Sequence, residues 1–197
     1  MKTQRTPISN VDDEQQLALL ERVANGDKDA LTRLYSLYHA RLFNFVFRLT
    51  ASYSTADELV NDIMLVVWDK ADTFRGDSKV STWIFGIAYK QAMRRIAKRR
   101  LRILSFDDHP DETGRDDDRS TEIENWVENA LCTLPAAQQL TVVLVFYLGL
   151  TYEETAQVTD CPVNTVKTRM FHARRKLRDY LSASAVPDEG FDGVYYD

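Results

Sequence analysis

Apolar residues recur every three or four positions along most of this chain, and nowhere do they alternate in twos. That spacing lines up side chains on one stripe of a 3.6-residue helix, whereas on a strand it would scatter them over both faces. It therefore selects helices. Leu17, Leu20, Val23 and Ala24 keep the spacing until Gly26 interrupts, and Asp27 is placed to cap a helix carrying Leu31, Leu34, Tyr35 and Tyr38. A third apolar stretch follows in Leu42, Phe43, Phe45, Val46, Phe47 and Leu49. The small polar run 50–55 predicts a break, and 56–74 predicts a long helix through Leu59, Val60, Ile63, Met64, Val67 and Trp68. Residues 75–78 read as a loop, after which Ser81 or Thr82 is expected to cap a helix through Trp83, Ile84, Ile87, Ala88 and Ala92.

Composition breaks that pattern once. Residues 105–120 combine Pro110, Gly114 and a run of Asp, which cannot form a core. The expected fold is all-α, with two small helical domains joined by an acidic flexible linker. A flexible arm covers 1–12, the first domain 13–104, the linker 105–120, the second domain 121–181 and an acidic aromatic tail 182–197. In the second domain a helix is expected over 121–134, with Pro135 at the first position of the next helix and Gly149 as its left-handed terminator. Thr151 and Glu154 then have the spacing of a capping box.

A length of 197 residues leaves room for modest cores but not for a large catalytic cleft. The longest apolar run, 142–150, is too short to cross a bilayer, and the first residues lack the apolar stretch of a secretion signal. A cytoplasmic protein with no direct membrane insertion is expected. Cys132 and Cys161 have no partner at metal-ligand spacing and read as small apolar residues. His39, His109 and His172 stand in unrelated contexts, and there is neither a nucleophile motif nor a Gly-rich phosphate loop. Hence no enzyme, no cofactor and no metal are expected.

Net charge is -5, which by itself argues against a nucleic-acid binder. Its distribution argues the other way. Lys90, Arg94, Arg95, Lys98, Arg99, Arg100 and Arg102 form one basic block with no acid among them, and Lys167, Arg169, Arg174, Arg175, Lys176 and Arg178 form a second. The acidic linker masks both in the total. The second block lies on a helix-turn-helix pattern: a short helix over 151–158, a turn at Thr159-Asp160-Cys161, and a longer helix over 162–181. At 100° per residue Val166, Met170, Ala173 and Leu177 share an apolar face, leaving Asn164, Lys167, Thr168, Phe171, His172 and Arg175 opposite. Lys and His can donate to guanine, Thr to several base edges, and Phe171 can pack on a thymine methyl.

The segments Leu150-Thr151-Tyr152-Glu153-Glu154-Thr155-Ala156 and Cys161-Pro162-Val163-Asn164-Thr165-Val166-Lys167-Thr168-Arg169 resemble region four of bacterial extracytoplasmic-function sigma factors. Region two of the same family is resembled by Asp57-Glu58-Leu59-Val60-Asn61-Asp62, Trp68, Phe74-Arg75-Gly76-Asp77-Ser78 and Thr82-Trp83-Ile84-Phe85-Gly86-Ile87-Ala88. The resemblance implies a dissociable subunit, monomeric when free, that gives core RNA polymerase its promoter specificity and is held inactive by an anti-sigma protein. It implies polymerase docking through Glu58, Asn61, Asp62, Leu65, Trp68 and Asp69. It implies that Phe74, Arg75, Ser78, Trp83, Tyr89, Lys90, Arg94, Arg95 and Lys98 grip the single-stranded minus 10 element. A reader of unpaired bases needs such aromatic platforms and cations. Thr151, Asn164, Thr165, Lys167, Thr168, Phe171, His172 and Arg175 would read the duplex minus 35 element. The sequence departs from the usual pattern at Lys90, where many members have Asn, at Gln139 for a frequent Arg, at Thr155 for a frequent Ile, and at Asn164, where Gly is common.

Two readings of the acidic linker stand side by side, a mimic of a nucleic-acid backbone and a solvated tether. The tail has no family counterpart and reads either as disordered or as a partner-binding segment. Imagined as a nuclease site, the linker fails because carboxylates on a flexible segment are not preorganised for two metals. The stronger rival to the sigma reading is a two-domain repressor or activator that binds a palindrome unaided as a dimer.

Overall fold

The computed structural model of the protein describes residues 13–50, 52–105, 129–131 and 133–183, with 99–105 and 183 as backbone. Among them every regular element is helical. The arm 1–12, the linker beyond Ser105, most of the helix expected over 121–134, and the tail from 184 onward lie outside the described residues.

Four helices make the first module: α1 (Asp13–Ala24), α2 (Lys28–Thr50), α3 (Tyr53–Lys70) and α4 (Val80–Ser105). Gly26 turns the chain between α1 and α2 at φ 82°, a conformation that favours a residue without Cβ. The carboxylate of Asp27 then accepts from the backbone N–H groups of Asp29 at 2.9 Å and Ala30 at 3.0 Å, the expected cap. These bonds, with the Arg22 guanidinium at 2.7 Å, hold the Asp27 carboxyl below its ordinary range. The apolar stretch after Tyr38 continues α2 without a break, because no Gly or Pro intervenes before Thr50.

The boundaries of α3 and α4 differ from expectation. Ser52 caps α3 three residues early, its hydroxyl accepting from the Thr55 N–H, and the helix ends at Lys70. A 3-10 turn, Ala71–Thr73, follows, and Phe74 is extended. Neither Ser81 nor Thr82 caps α4. The helix already starts at Val80, the Trp83 N–H bonding to the Lys79 carbonyl at 3.1 Å. Thr82 instead faces the core, 3% exposed, and its hydroxyl finds no partner.

The second module comprises α5 (Ala136–Val142), α6 (Tyr152–Thr159) and α7 (Val163–Ala183). Pro135 stands one position earlier than expected, at the N-cap of α5, where its carbonyl accepts from Gln138 at 2.8 Å and Gln139 at 3.0 Å. A π-helical turn, Val143–Tyr147, extends α5, and Gly149 stops it at φ 71°. The wider turn ends the buried run: residues 140–144 are buried, whereas Phe146 and Tyr147 are 60% and 44% exposed.

The two modules share an apolar core. Leu140, Val143, Leu144, Leu148, Leu150 and Val158 join the cluster built by Leu34, Phe45, Ile63, Phe85 and their neighbours. A smaller cluster of Leu134, Val142, Met170 and Ala173 holds α5 to α7. Polar bonds close the seam between modules: Lys79 meets Glu154 at 3.3 Å, and the Arg41 guanidinium donates to the Leu148 carbonyl at 3.4 Å. Arg48 lies 4.7 Å over the Tyr147 ring.

Candidate nucleic-acid interface

The helix-turn-helix forms where the residues place it. Thr151 and Glu154 make the reciprocal capping box, Glu154 N–H to Thr151 Oγ1 at 3.1 Å and Thr151 N–H to Glu154 Oε2 at 2.8 Å. Asp160 ends α6 in the left-handed region, φ 51°, its N–H bonding to the Ala156 carbonyl, and Cys161 and Pro162 lead into α7. Val166, Met170 and Ala173 are buried, which turns the opposite face of α7 to solvent. There Asn164, Lys167, Thr168, Phe171 and Arg175 are exposed, with Thr165 and His172 half-buried beside them. Phe171 is 63% exposed, and its ring meets His172 edge-on at 5.5 Å. The Thr168 hydroxyl donates to the Asn164 carbonyl at 2.9 Å, so its lone pairs remain for a donor. Thr151 belongs to this set by sequence, but the structure puts its hydroxyl in the capping box, beside the Glu154–Lys79 ion pair.

On α4 the basic residues are also at the surface. Lys90, Arg94, Arg95 and Lys98 are exposed, and Arg75 is exposed in the loop before the helix. At about 100° per residue, Trp83, Lys90, Arg94 and Lys98 fall within an arc of about 80°. The structure thus gathers one aromatic ring and three cations on a single face. Phe74 joins them by packing edge-on against Trp83, ring centres 5.6 Å apart, both half-buried. Tyr89 is not gathered there, because its position is about 120° from Trp83. Ser78 is half-buried, its hydroxyl donating to the Lys79 carbonyl at 3.3 Å. Arg95 turns away to Glu58 on α3, at 2.8 Å.

The α3 residues share one solvent-facing strip: Glu58, Asn61, Asp62, Leu65 and Asp69 are exposed and Trp68 half-buried. Leu65 is 61% exposed, an apolar centre in an acidic rim. Asn61 is held in place by the Tyr35 hydroxyl, which donates to its Oδ1 at 3.1 Å.

Known proteins match the chain along most of its described length. The family described as Sigma-70 region 2 matches residues 34–102, and that described as Sigma-70, region 4 matches 124–177. The "ECF RNA polymerase sigma-E factor" of Haemophilus influenzae is 31% identical over 178 residues, covering 83% of this chain and 94% of that protein. The chain belongs to the extracytoplasmic-function sigma factors. As such it directs transcription initiation. The fold agrees. The sigma factor RpoE of Bartonella quintana, solved in complex with the anti-sigma factor NepR, superposes with a TM-score of 0.64 at 25% identity, covering 78% of this chain and 97% of that one. CnrH, solved with the cytosolic domain of CnrY, gives 0.68 at 22% identity over 87% and 99%.

Several features of this sigma factor were missed from sequence. Arg41, which the spacing does not single out, lies 5.1 Å over Phe85 and 5.8 Å over Tyr38 at the seam, and burial lowers its pKa. Arg169 reaches back to the Cys161 sulfur at 3.6 Å across the turn. Spacing alone carries no signal for either contact.

Proposed function

We propose that this sigma factor docks on core RNA polymerase through the acidic strip of α3 and reads promoter DNA with two cationic faces. The face of α7 enters the major groove of the minus 35 element, where Lys167 and His172 donate to base edges and Phe171 meets a methyl group. The face of α4 takes the unpaired minus 10 strand: Trp83, backed by Phe74, offers a ring, and Lys90, Arg94 and Lys98 track phosphates. The observation that carries this reading is that Lys90, Arg94 and Lys98 on α4, and Lys167 and Arg175 on α7, are exposed, even though the modules share a core. Sigma factors supply recognition rather than catalysis, and here too no bond is made or broken by the chain itself.

An anti-sigma protein is the expected second partner, as in the Bartonella complex. Among the described residues no helix is long and apolar enough to cross a membrane. A cytoplasmic location therefore fits, with any tie to the inner membrane made through that partner, and the free chain is expected to be a monomer. The test is run-off transcription with the purified chain and bacterial core polymerase. Transcripts should need both proteins. A chain that binds a palindrome tightly alone, and never yields a transcript with core, is a repressor-type regulator and the proposal fails.

A further inference from the structure

Three of the seven exposed large apolar side chains among the described residues, Phe146, Tyr147 and Leu181, line one groove. It holds about 330 Å³ and is walled mainly by Val142, Val143 and Leu177, with the Arg48 guanidinium at its edge. That volume is at the small end of ligand-sized pockets, about 300 to 1,000 Å³. The groove lies behind α7: Leu177 is about 160° around the helix from Arg175 of the DNA-facing side, so filling it leaves that side open. Cations border it. Arg174 stacks 5.6 Å over Phe146 and Arg48 lies 4.7 Å over Tyr147, while Arg178, one turn after Arg174 on α7, pairs at 3.7 Å with the exposed Asp179.

Leu181 lines the groove, and the segment 184–197 begins three positions later. That segment contains Val186, Phe191, Val194, Tyr195 and Tyr196, with Asp188, Glu189, Asp192 and Asp197 and no basic residue. It thus carries apolar rings for an apolar groove and acids for a cationic rim. Eight residues separate Ala183 from Phe191, a reach of up to about 26 Å when extended. Pro187, Gly190 and Gly193 supply the turn residues that a fold-back needs.

We infer that residues 184–197 fold back into this groove, seating Phe191 against Phe146, Tyr147 and Leu181 while the acids face Arg48, Arg174 and Arg178. The groove is then covered by the chain itself until a partner displaces the tail. This holds or fails independently of the promoter reading, because it is tested in the free chain without DNA or polymerase.

The experiment places the photoreactive residue benzoylphenylalanine at position 191 of the full chain, irradiates at low micromolar concentration and maps the cross-links. Cross-links within one chain to 142–147 or 177–181 are expected, falling at least about five-fold with Phe146→Asp. Phe146 is an exposed residue, so that change spares the core. As a second measurement, Phe191→Ser should speed amide exchange at 142–147. Cross-links that join two chains, that map elsewhere, that ignore Phe146→Asp, or that are absent would each overturn the inference.

Discussion

Tyr38 and Arg41, one helical turn apart on α2, show what a few polar groups do inside this core. Tyr38 is fully buried, and its hydroxyl donates to the Gln16 side-chain carbonyl. Burial pushes the phenol above its ordinary value of about 10, so the neutral form is the one that the fold favours. A raised folded pKa gives stability that is complete below pH 10 and is lost as pH climbs beyond it, by about 1.4 kcal/mol per unit. Tyr38→Phe should therefore cost about 1 kcal/mol at pH 7, for the lost hydrogen bond, and that deficit should close near pH 11. Urea midpoints of both proteins at the two pH values measure it; an unchanged gap would show that the phenol does not titrate late. At this scale the sequence was partly legible. Asp27 was readable as a cap because its partners are two and three residues away, but Arg41 was not, because its hydrogen-bond acceptor, the Leu148 carbonyl, lies in the other module.

Helix ends depend on local chemistry, which is why α6 and α7 were legible to within one or two residues. The capping box, Gly149 and the turn before α7 all involve neighbours within six positions. Thr151→Ala should destabilise the protein by about 1 kcal/mol, lowering the thermal midpoint by a few degrees, while Thr151→Ser should stay near wild type. Calorimetry on the three chains checks this, and equal losses for Ala and Ser would remove the hydroxyl from the account. Where expectation failed, tertiary packing had overridden a local preference. Thr82 has a good capping side chain, yet it is buried, as Val80, Ile84 and Phe85 are, and the helix starts upstream of it at Val80. Arg95 is drawn aside by packing across helices. The resemblance groups it with the minus 10 cations, while Glu58 on a neighbouring helix holds it, and such exposed pairs are worth only about 0.2 to 1 kcal/mol, weak enough for DNA to compete.

The arrangement of the whole molecule was the least legible, because an acidic linker reads as separation while the structure packs the modules on one core. Leu144, Leu148, Leu150 and Val158 bury surface at the seam, about 1.5 to 3 kcal/mol for each fully buried large apolar side chain. This packing sets a geometric condition on function. Elements at minus 35 and minus 10 lie about 25 base pairs apart, about 85 Å of duplex. A compact chain of this length has a radius of gyration of about 16 Å and cannot touch both. On the proposed promoter reading, the seam has to open when both elements are engaged. Fluorescent labels at the exposed positions Asn44 and Lys176 should show high transfer in the free chain and a marked fall once core polymerase and promoter DNA are added. Unchanged transfer in a transcribing complex would contradict the condition.

Two cationic faces serving two different forms of DNA is the central claim, and a crossed substitution series tests it most directly. Transcription by Lys167→Ala and Lys90→Ala would be measured on templates carrying single base changes in the minus 35 or the minus 10 element. Lys167→Ala should lose about ten-fold on the intact promoter and become indifferent to one minus 35 base, with its minus 10 preferences unaltered. Lys90→Ala should alter only the minus 10 preference. Exchanged effects, or a uniform loss across every template for both variants, would contradict the account.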